Sequence, residues 1–303
     1  MSSVAAHPDA TRASDSRPHA DFVRALTLTD ATMLVAGSMV GSGIFIVSAD
    51  ISRTVAWPVW LLAAWVMTGI ITLLGALAYG ELASMFPKAG GQYVYLRESL
   101  GPLIGFLYGW TMFVVIQTGT IAAVAVAFAK YLGVILPALT PESFTWLPHV
   151  AVKTPDGSIE IGLSPQRIVA ILSVWVLTWI NLRGIREGKF IQTTLTVIKV
   201  AALIALILLG LTVGRNATAL AANFGTGHFA PDFSTLTASF AIVFASAMVG
   251  SLFSSDAWNN VTFAAAEVQN PSRNLPLALV LGTGLVMVLY VSANVSYLSV
   301  LPL

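Results

Sequence analysis

The sequence contains no cysteine. Disulfides, thiolate-bound zinc and iron–sulfur clusters are therefore excluded together. Histidine is scarce: His7, His19, His149 and His228 stand far apart in polar stretches, so no metal site and no cofactor is expected. Charge is scarce as well. Asp, Glu, Lys and Arg make up only 10% of the residues and leave a net charge of +1, which implies neither a nucleic-acid partner nor an acidic one. HExxH and GxSxG are missing, and Asp256 has no second intramembrane carboxylate for acid–base work, so the chain does not read as an enzyme. No repeated filter-like motif supports a channel. What remains is apolar: 56% of the 303 residues are hydrophobic, which places the chain among integral membrane proteins.

Apolar runs fall at 29–48, 58–80, 103–128, 167–183, 191–214, 237–263 and 277–300. Each is near the roughly 20 residues that a bilayer requires, so seven membrane-spanning helices are predicted. Residues 1–27 are polar, carry Arg12, Arg17 and Arg24, and are expected to form a disordered cytosolic tail, because a signal peptide needs its apolar segment close behind its first charges. Between the third and fourth spans lies the one sizeable polar loop, PALTPESFTWLPHVAVKTPDGSIEIGLSPQ. With the N-terminus inside, the inner loops hold Lys88, Arg97, Arg183, Arg186, Lys189 and Arg273 besides the tail arginines. The outer ones hold fewer cations, and the positive-inside rule selects a cytosolic N-terminus in the cytoplasmic membrane.

Two spans are unusual. The first contains AGSMVGSGIFIVSA, with Gly37, Ser38, Gly41, Ser42 and Gly43 where leucine would serve a plain helix. Glycine costs about 1 kcal/mol against alanine in a helix interior, and serine competes for backbone hydrogen bonds. One reading is close helix packing through small residues four apart. The other is a break whose freed N–H and C=O groups line a cavity. The sixth span, FASAMVGSLFSSDAWNNVTFAAAEV, favours the break: its centre is small and polar and holds Asp256, which costs at least about 2.5 kcal/mol in mid-membrane unless it faces protein or water. Two interrupted helices separated by four ordinary ones is the pattern of a repeat-built transporter with its site at the midplane. N–H groups after Gly43 suit a carboxylate, and carbonyls near Phe253 to Ser255 suit an ammonium, so the expected ligand is a zwitterion. Lys199, within the fifth span, either snorkels to an interface or stands buried in place of a coupling cation.

Lesser expectations complete the reading. Gln117 and Asn181 are read as interhelical hydrogen-bond partners, Glu81 and Glu267 as solvated or paired with Lys88 and Arg273, and Trp57, Trp60, Trp146 and Trp179 as interface anchors. NPSRNLP at 270–276 is a turn in which Asn274 can cap a helix. Asn216-Ala217-Thr218 matches a glycosylation sequon too short to carry weight.

GSMVGSGIF at 37–45, ELASMFPKAGGQYVYLRESLG at 81–101 and GSLFSSDAWNNVTFAAAEVQNPSRNLPLAL at 250–279 resemble the amino acid–polyamine–organocation superfamily, and within it the L-type amino acid transporter branch. The resemblance implies an all-α, leucine-transporter-like fold of two inverted five-helix repeats, with helices one and six broken and substrate between them. The membrane domain would run over 28–303, its first repeat over about 28–214 and a partial second repeat over about 237–303. The chain would stop after seven helices, without the eighth that lines the cavity. Carried over residue by residue, the backbone of Gly41, Ser42 and Gly43 would hold the substrate carboxylate. The carbonyls of Met39, Phe253, Ser254 and Asp256 would surround the amino group, Phe253 would act as a lid, and Asn259 would reach the substrate or helix one. Lys199 matches a lysine that replaces sodium in sodium-independent members. The function implied is secondary active amino acid transport, by exchange or proton coupling, with the missing helices or a partner polypeptide completing the bundle. The alternative is a non-transporting remnant or interaction protein.

Overall fold

Each apolar run becomes a helix because only a helix satisfies its own backbone inside hydrocarbon. The computed structural model describes residues 23–139, 150–154, 157–225, 227, 229 and 237–303. The first span is α1 (Leu28–Met39) followed by α2 (Gly43–Val55), bent by 45° at the break. Next come α3 (Pro58–Met85) and the short α4 (Gln92–Leu100). The third span is α5 (Pro102–Thr111), a π-helical turn (Met112–Gln117) and α6 (Thr118–Ile135). After it come α7 (Pro165–Leu182), α8 (Ile185–Leu211) and the short α9 (Ala217–Phe224). The sixth span is α10 (Ala238–Ser254) continued by a 3₁₀ stretch (Trp258–Glu267), and α11 (Pro271–Val300) ends the chain. Among the described residues six helices are long and apolar enough to cross a membrane, or seven with α1 and α2 taken together, as predicted.

The core lies between α1, α3, α8, α10 and α11, with α11 packed along α3 and α1. Trp65 of α3 and Tyr290 of α11 are both fully buried and meet edge to face, with ring centroids 5.3 Å apart. Such a pair adds about 0.5–1.5 kcal/mol beyond its buried area. Gly69 lets α11 come this close, since a methyl group there would stand 3.3 Å from the Met287 side chain. By contrast α6 pairs chiefly with α7, and large side chains such as Phe113, Val124 and Trp175 are exposed, as a lipid-facing or partner-facing surface requires.

Several expectations change with the structure. The polar loop contains an antiparallel hairpin, β1 (Val150–Thr154) and β2 (Gly157–Ile161), with Val150 opposite Ile161. Its signal was legible as β-branched alternation around Pro-Asp-Gly. Residues 1–22 of the expected tail lie outside the described residues. Residues 23–27 are paired: Leu26 is buried, its N–H donates to the Glu267 carbonyl, and its own carbonyl accepts from Gln269 N–H. Asn181 donates to the Leu177 carbonyl of its own helix, a local bond in place of the interhelical one. Gln117 makes no side-chain hydrogen bond among the described residues. Trp60 packs between Phe240 and Phe244 of α10, while the exposed Trp179 carries the Arg183 guanidinium 3.7 Å over its ring. Trp146 lies outside the described residues. Asn216 caps α9, its side-chain oxygen accepting from Thr218 N–H. Asn274 donates to the Gln269 carbonyl, closing the turn from inside α11 where the sequence pointed to an N-cap.

The end of the core next to α9 is fastened by one side chain. Buried Asn223 of α9 donates to the carbonyls of Leu298 and Leu301 at 2.8 Å each and accepts from Leu303 N–H at 3.0 Å. Asn223→Ala is expected to destabilise the chain by about 1–3 kcal/mol, the cost of stranding buried polar groups. Thermal unfolding in detergent measures it, and an unchanged midpoint would contradict this assignment.

Candidate functional site

The two predicted breaks are present and meet. α1 stops at Met39, Val40 turns extended, and α2 restarts at Gly43. In the sixth span α10 stops at Ser254, Ala257 is left-handed with φ 68°, and the chain resumes as 3₁₀ helix. A single hydroxyl joins the two interruptions. Tyr290 Oη of α11 donates to the Met39 carbonyl at 2.9 Å and lies 3.4 Å from the Ser254 carbonyl. Its oxygen also interacts with the Gly41 amide. One hydroxyl carries one proton, so the shorter bond to Met39 is the one made and Ser254 is its alternative acceptor.

Lys199 closes the other side. Its Nζ donates to the carbonyls of Gly37 at 2.6 Å and Val40 at 2.9 Å, the last turn of α1. These are acceptors that a helix end leaves without partners, and an ammonium suits the negative end of the helix dipole. Lys199 thus reaches from α8 to the end of α1 at the break.

The three glycines divide between two duties. A methyl group at Gly43 would stand 2.7 Å from Ser254 Cβ and 3.3 Å from its Cα, and one at Gly37 would stand 2.9 Å from Gln192 Nε2. These two are required for close helix approach, to α10 and α8. Gly41 faces open space: a methyl group there meets only the Met39 carbonyl, at 4.0 Å. The Ser42 and Gly43 amides find no acceptor among the described residues, and Gly41 and Ser42 are exposed. The packing reading of this segment thus holds at Gly37 and Gly43, while Gly41 is exposed.

The remaining residues of interest lie close by with varied surroundings. Ser254 Oγ donates to the Gly250 carbonyl at 2.8 Å, and its neighbour Ser251 pairs with Thr68 Oγ1 at 2.7 Å, tying α10 to α3. The Phe253 carbonyl already accepts Asp256 N–H at 3.3 Å, so it is less free than expected, and the Phe253 side chain is 79% exposed. Asp256 is exposed, makes no ion pair among the described residues and interacts electrostatically with Tyr108 of α5. Asn259 is half-buried, its carbonyl accepting from Thr262 Oγ1. Trp258 packs on Tyr79 with centroids 5.0 Å apart, and Gln92 links the Tyr79 and Tyr108 hydroxyls across α3, α4 and α5. Sequence reasoning missed Tyr290 and Gln92, since a tyrosine or glutamine in an apolar helix gives no signal until its partners are known.

Apolar helices of spanning length, two of them broken where they meet, define a multi-pass integral membrane protein. The family model described as amino acid permease matches residues 26–303, and the chain belongs to that family. It is 28% identical over 292 residues to the b(0,+)-type amino acid transporter 1 of Oryctolagus cuniculus, a match covering 95% of this chain and 54% of the relative. It is 29% identical over 305 residues to the large neutral amino acids transporter small subunit 2 of Rattus norvegicus, covering 97% and 52%. The corresponding human protein is 30% identical over 275 residues, covering 90% and 46%. The chain thus spans about half the length of these relatives.

Tyr290→Phe is expected to destabilise the fold by about 1–3 kcal/mol, because the Met39 carbonyl loses its donor in a buried position. A thermal unfolding series in detergent checks it; a midpoint equal to the parent's would contradict the bridging role.

Proposed function

We propose that this chain carries the substrate site of a sodium-independent secondary transporter that moves amino acids across the cytoplasmic membrane by alternating access. The observation that carries the reading is the meeting of the two breaks. Free amides of Ser42 and Gly43 stand on one side, and the Met39 and Ser254 carbonyls stand around Tyr290 on the other. Amide donors at the start of α2 match a carboxylate, and carbonyl oxygens match an ammonium. A zwitterion satisfies both in one pocket. In this reading Gly41, Ser42 and Gly43 hold the carboxylate. Met39, Phe253, Ser254 and Asp256 face the amino group, Asn259 reaches the substrate or helix one, and Phe253 is the lid. No covalent step is required: binding draws the broken helices together, and the occupied bundle reopens on the other side.

Lys199 supplies a fixed or protonatable cation where a bound ion would otherwise brace helix one, which fits exchange or proton coupling. Asp256, exposed beside Tyr108 and with no ion partner among the described residues, favours a cationic or small polar side chain. The N-terminus is cytosolic by the distribution of cations. The exposed Phe253 and the exposed faces of α5–α7 call for further helices, supplied by a continuation of the chain or by a partner polypeptide. The same exposure supports the second reading, a non-transporting remnant.

The test is thermal stabilisation of the purified chain by each of the standard amino acids, alone and in a version extended to at least ten helices. A ligand at a hundred times its dissociation constant stabilises by about 2.7 kcal/mol. The transporter reading expects a stereoselective shift that Gly41→Leu abolishes without lowering the unliganded midpoint, because residue 41 borders open space. Gly43→Leu would be a poorer probe, since it disrupts packing on Ser254. A shift for arginine or lysine that Asp256→Asn removes supports the cationic preference; a response confined to large aliphatic or aromatic amino acids contradicts it. Silence from both versions favours the remnant.

A further inference from the structure

At the N-terminal end of the bundle the two broken spans are joined a second time. Leu26 pairs with Val268, its N–H donating to the Glu267 carbonyl at 2.9 Å and its carbonyl accepting from Gln269 N–H at 2.8 Å. The Gln269 side chain reaches the Arg24 carbonyl at 3.3 Å. The start of helix one and the end of helix six therefore form one body. Near this end, one ion pair among the described residues ties that body to α8. Lys189 Nζ lies 2.6 Å from Asp30 Oδ2 and 3.4 Å from the Ala25 carbonyl.

Asp30 is preset for this contact. Its carboxylate accepts from Thr27 N–H at 2.9 Å and Thr27 Oγ1 at 2.7 Å, a capping box that fixes it at the first turn of α1. The Asp30 side chain is 13% exposed and that of Lys189 32%, so the pair is partly shielded from solvent. The pair lines a half-open groove of about 400 Å³ between α1, α7, α8 and the end of the 3₁₀ stretch, together with Leu34, Asn181, Gln192 and Glu267. Glu267 has no ion partner among the described residues, so the groove already holds water-seeking groups beside the first turns of α1. Lys189 and Lys199 lie on one helix ten residues apart, about 15 Å along its axis.

We propose that the Asp30–Lys189 pair is a latch: closed, it holds the joined ends of helices one and six against α8; open, it lets that body swing away, widens the groove along α1 and gives substrate an exit. The inference rests on the transport reading, with Lys199 bracing the break and Lys189 gating the way out of it. Separation of the pair exposes Asp30, Lys189 and Glu267 to water together, which offsets the lost contact and makes the opening reversible.

The chain has no cysteine of its own, so a single Leu34→Cys reports on the groove without background. In membranes, its modification rate by a membrane-impermeant thiol reagent is measured in the parent and in Lys189→Gln, Asp30→Asn, the double variant and Lys189→Arg. The latch expects each neutralising change to raise the rate about tenfold, as loss of one charge-assisted hydrogen bond in a two-state equilibrium would. The double variant should rise no further than either single one, and Lys189→Arg should stay near the parent. Parent-like rates in both single variants, or rates that multiply in the double, overturn it. The readout needs no amino acid: a chain that binds none can still show the latch, and a chain without a latch can still bind substrate in the stabilisation assay.

Discussion

A membrane helix cannot be interrupted without leaving backbone groups that hydrocarbon will not solvate, and the rest of this structure depends on how two such interruptions are answered. Lys199 meets the Gly37 and Val40 carbonyls at the end of α1. The Tyr290 hydroxyl meets Met39 and approaches Ser254, so one side chain on α11 serves both breaks. Each unsatisfied group would cost on the order of 1–3 kcal/mol when buried. A cation and a phenol brought in from neighbouring helices therefore make an otherwise unfavourable geometry stable. What they leave unanswered, the Ser42 and Gly43 amides, is where a ligand has something to contribute.

The same arrangement sets the mechanics. Gly43 against Ser254 and Gly250 against Val47 let α2 lie directly on α10, so the halves of helices one and six beyond the breaks are coupled by packing. On the near side of the breaks the coupling is backbone pairing of Leu26 with Glu267 and Gln269. Helices one and six are thus joined on both sides of the breaks. Lys199 and Lys189, both on α8, each contact α1, so one helix holds it near the break and at its start.

The number of spans, their approximate limits and both breaks were legible in the sequence, because each follows from a local signal: an apolar run, or a cluster of Gly and Ser within one. Lys199 was legible as well, since an ammonium inside an apolar helix demands an explanation wherever it points. Tyr290 was not, because its importance lies in being opposite Met39 and Ser254, residues far away in sequence. The glycines were half legible. Their clustering announced a special segment, but only the neighbours of each position separate Gly37 and Gly43, which contact other helices, from Gly41, which faces open space. The hairpin at 150–161 was overlooked because a long polar loop outside the membrane drew attention to its polarity and away from its alternating valines and isoleucines. At Asn216 the sequon match was too short to carry weight, and the structure shows a helix cap there.

The central claim is that the two breaks form one site. Hydrogen–deuterium exchange of the amides at residues 41–45 and 255–259, with and without a stabilising amino acid, tests it most directly. If one zwitterion bridges both interruptions, exchange slows in the two segments together, with the same dependence on ligand concentration, and the slowing is lost in both when Gly41 is replaced by Leu. Protection in one segment while the other is unchanged would mean that the breaks do not share a ligand, and the account would be wrong at its centre.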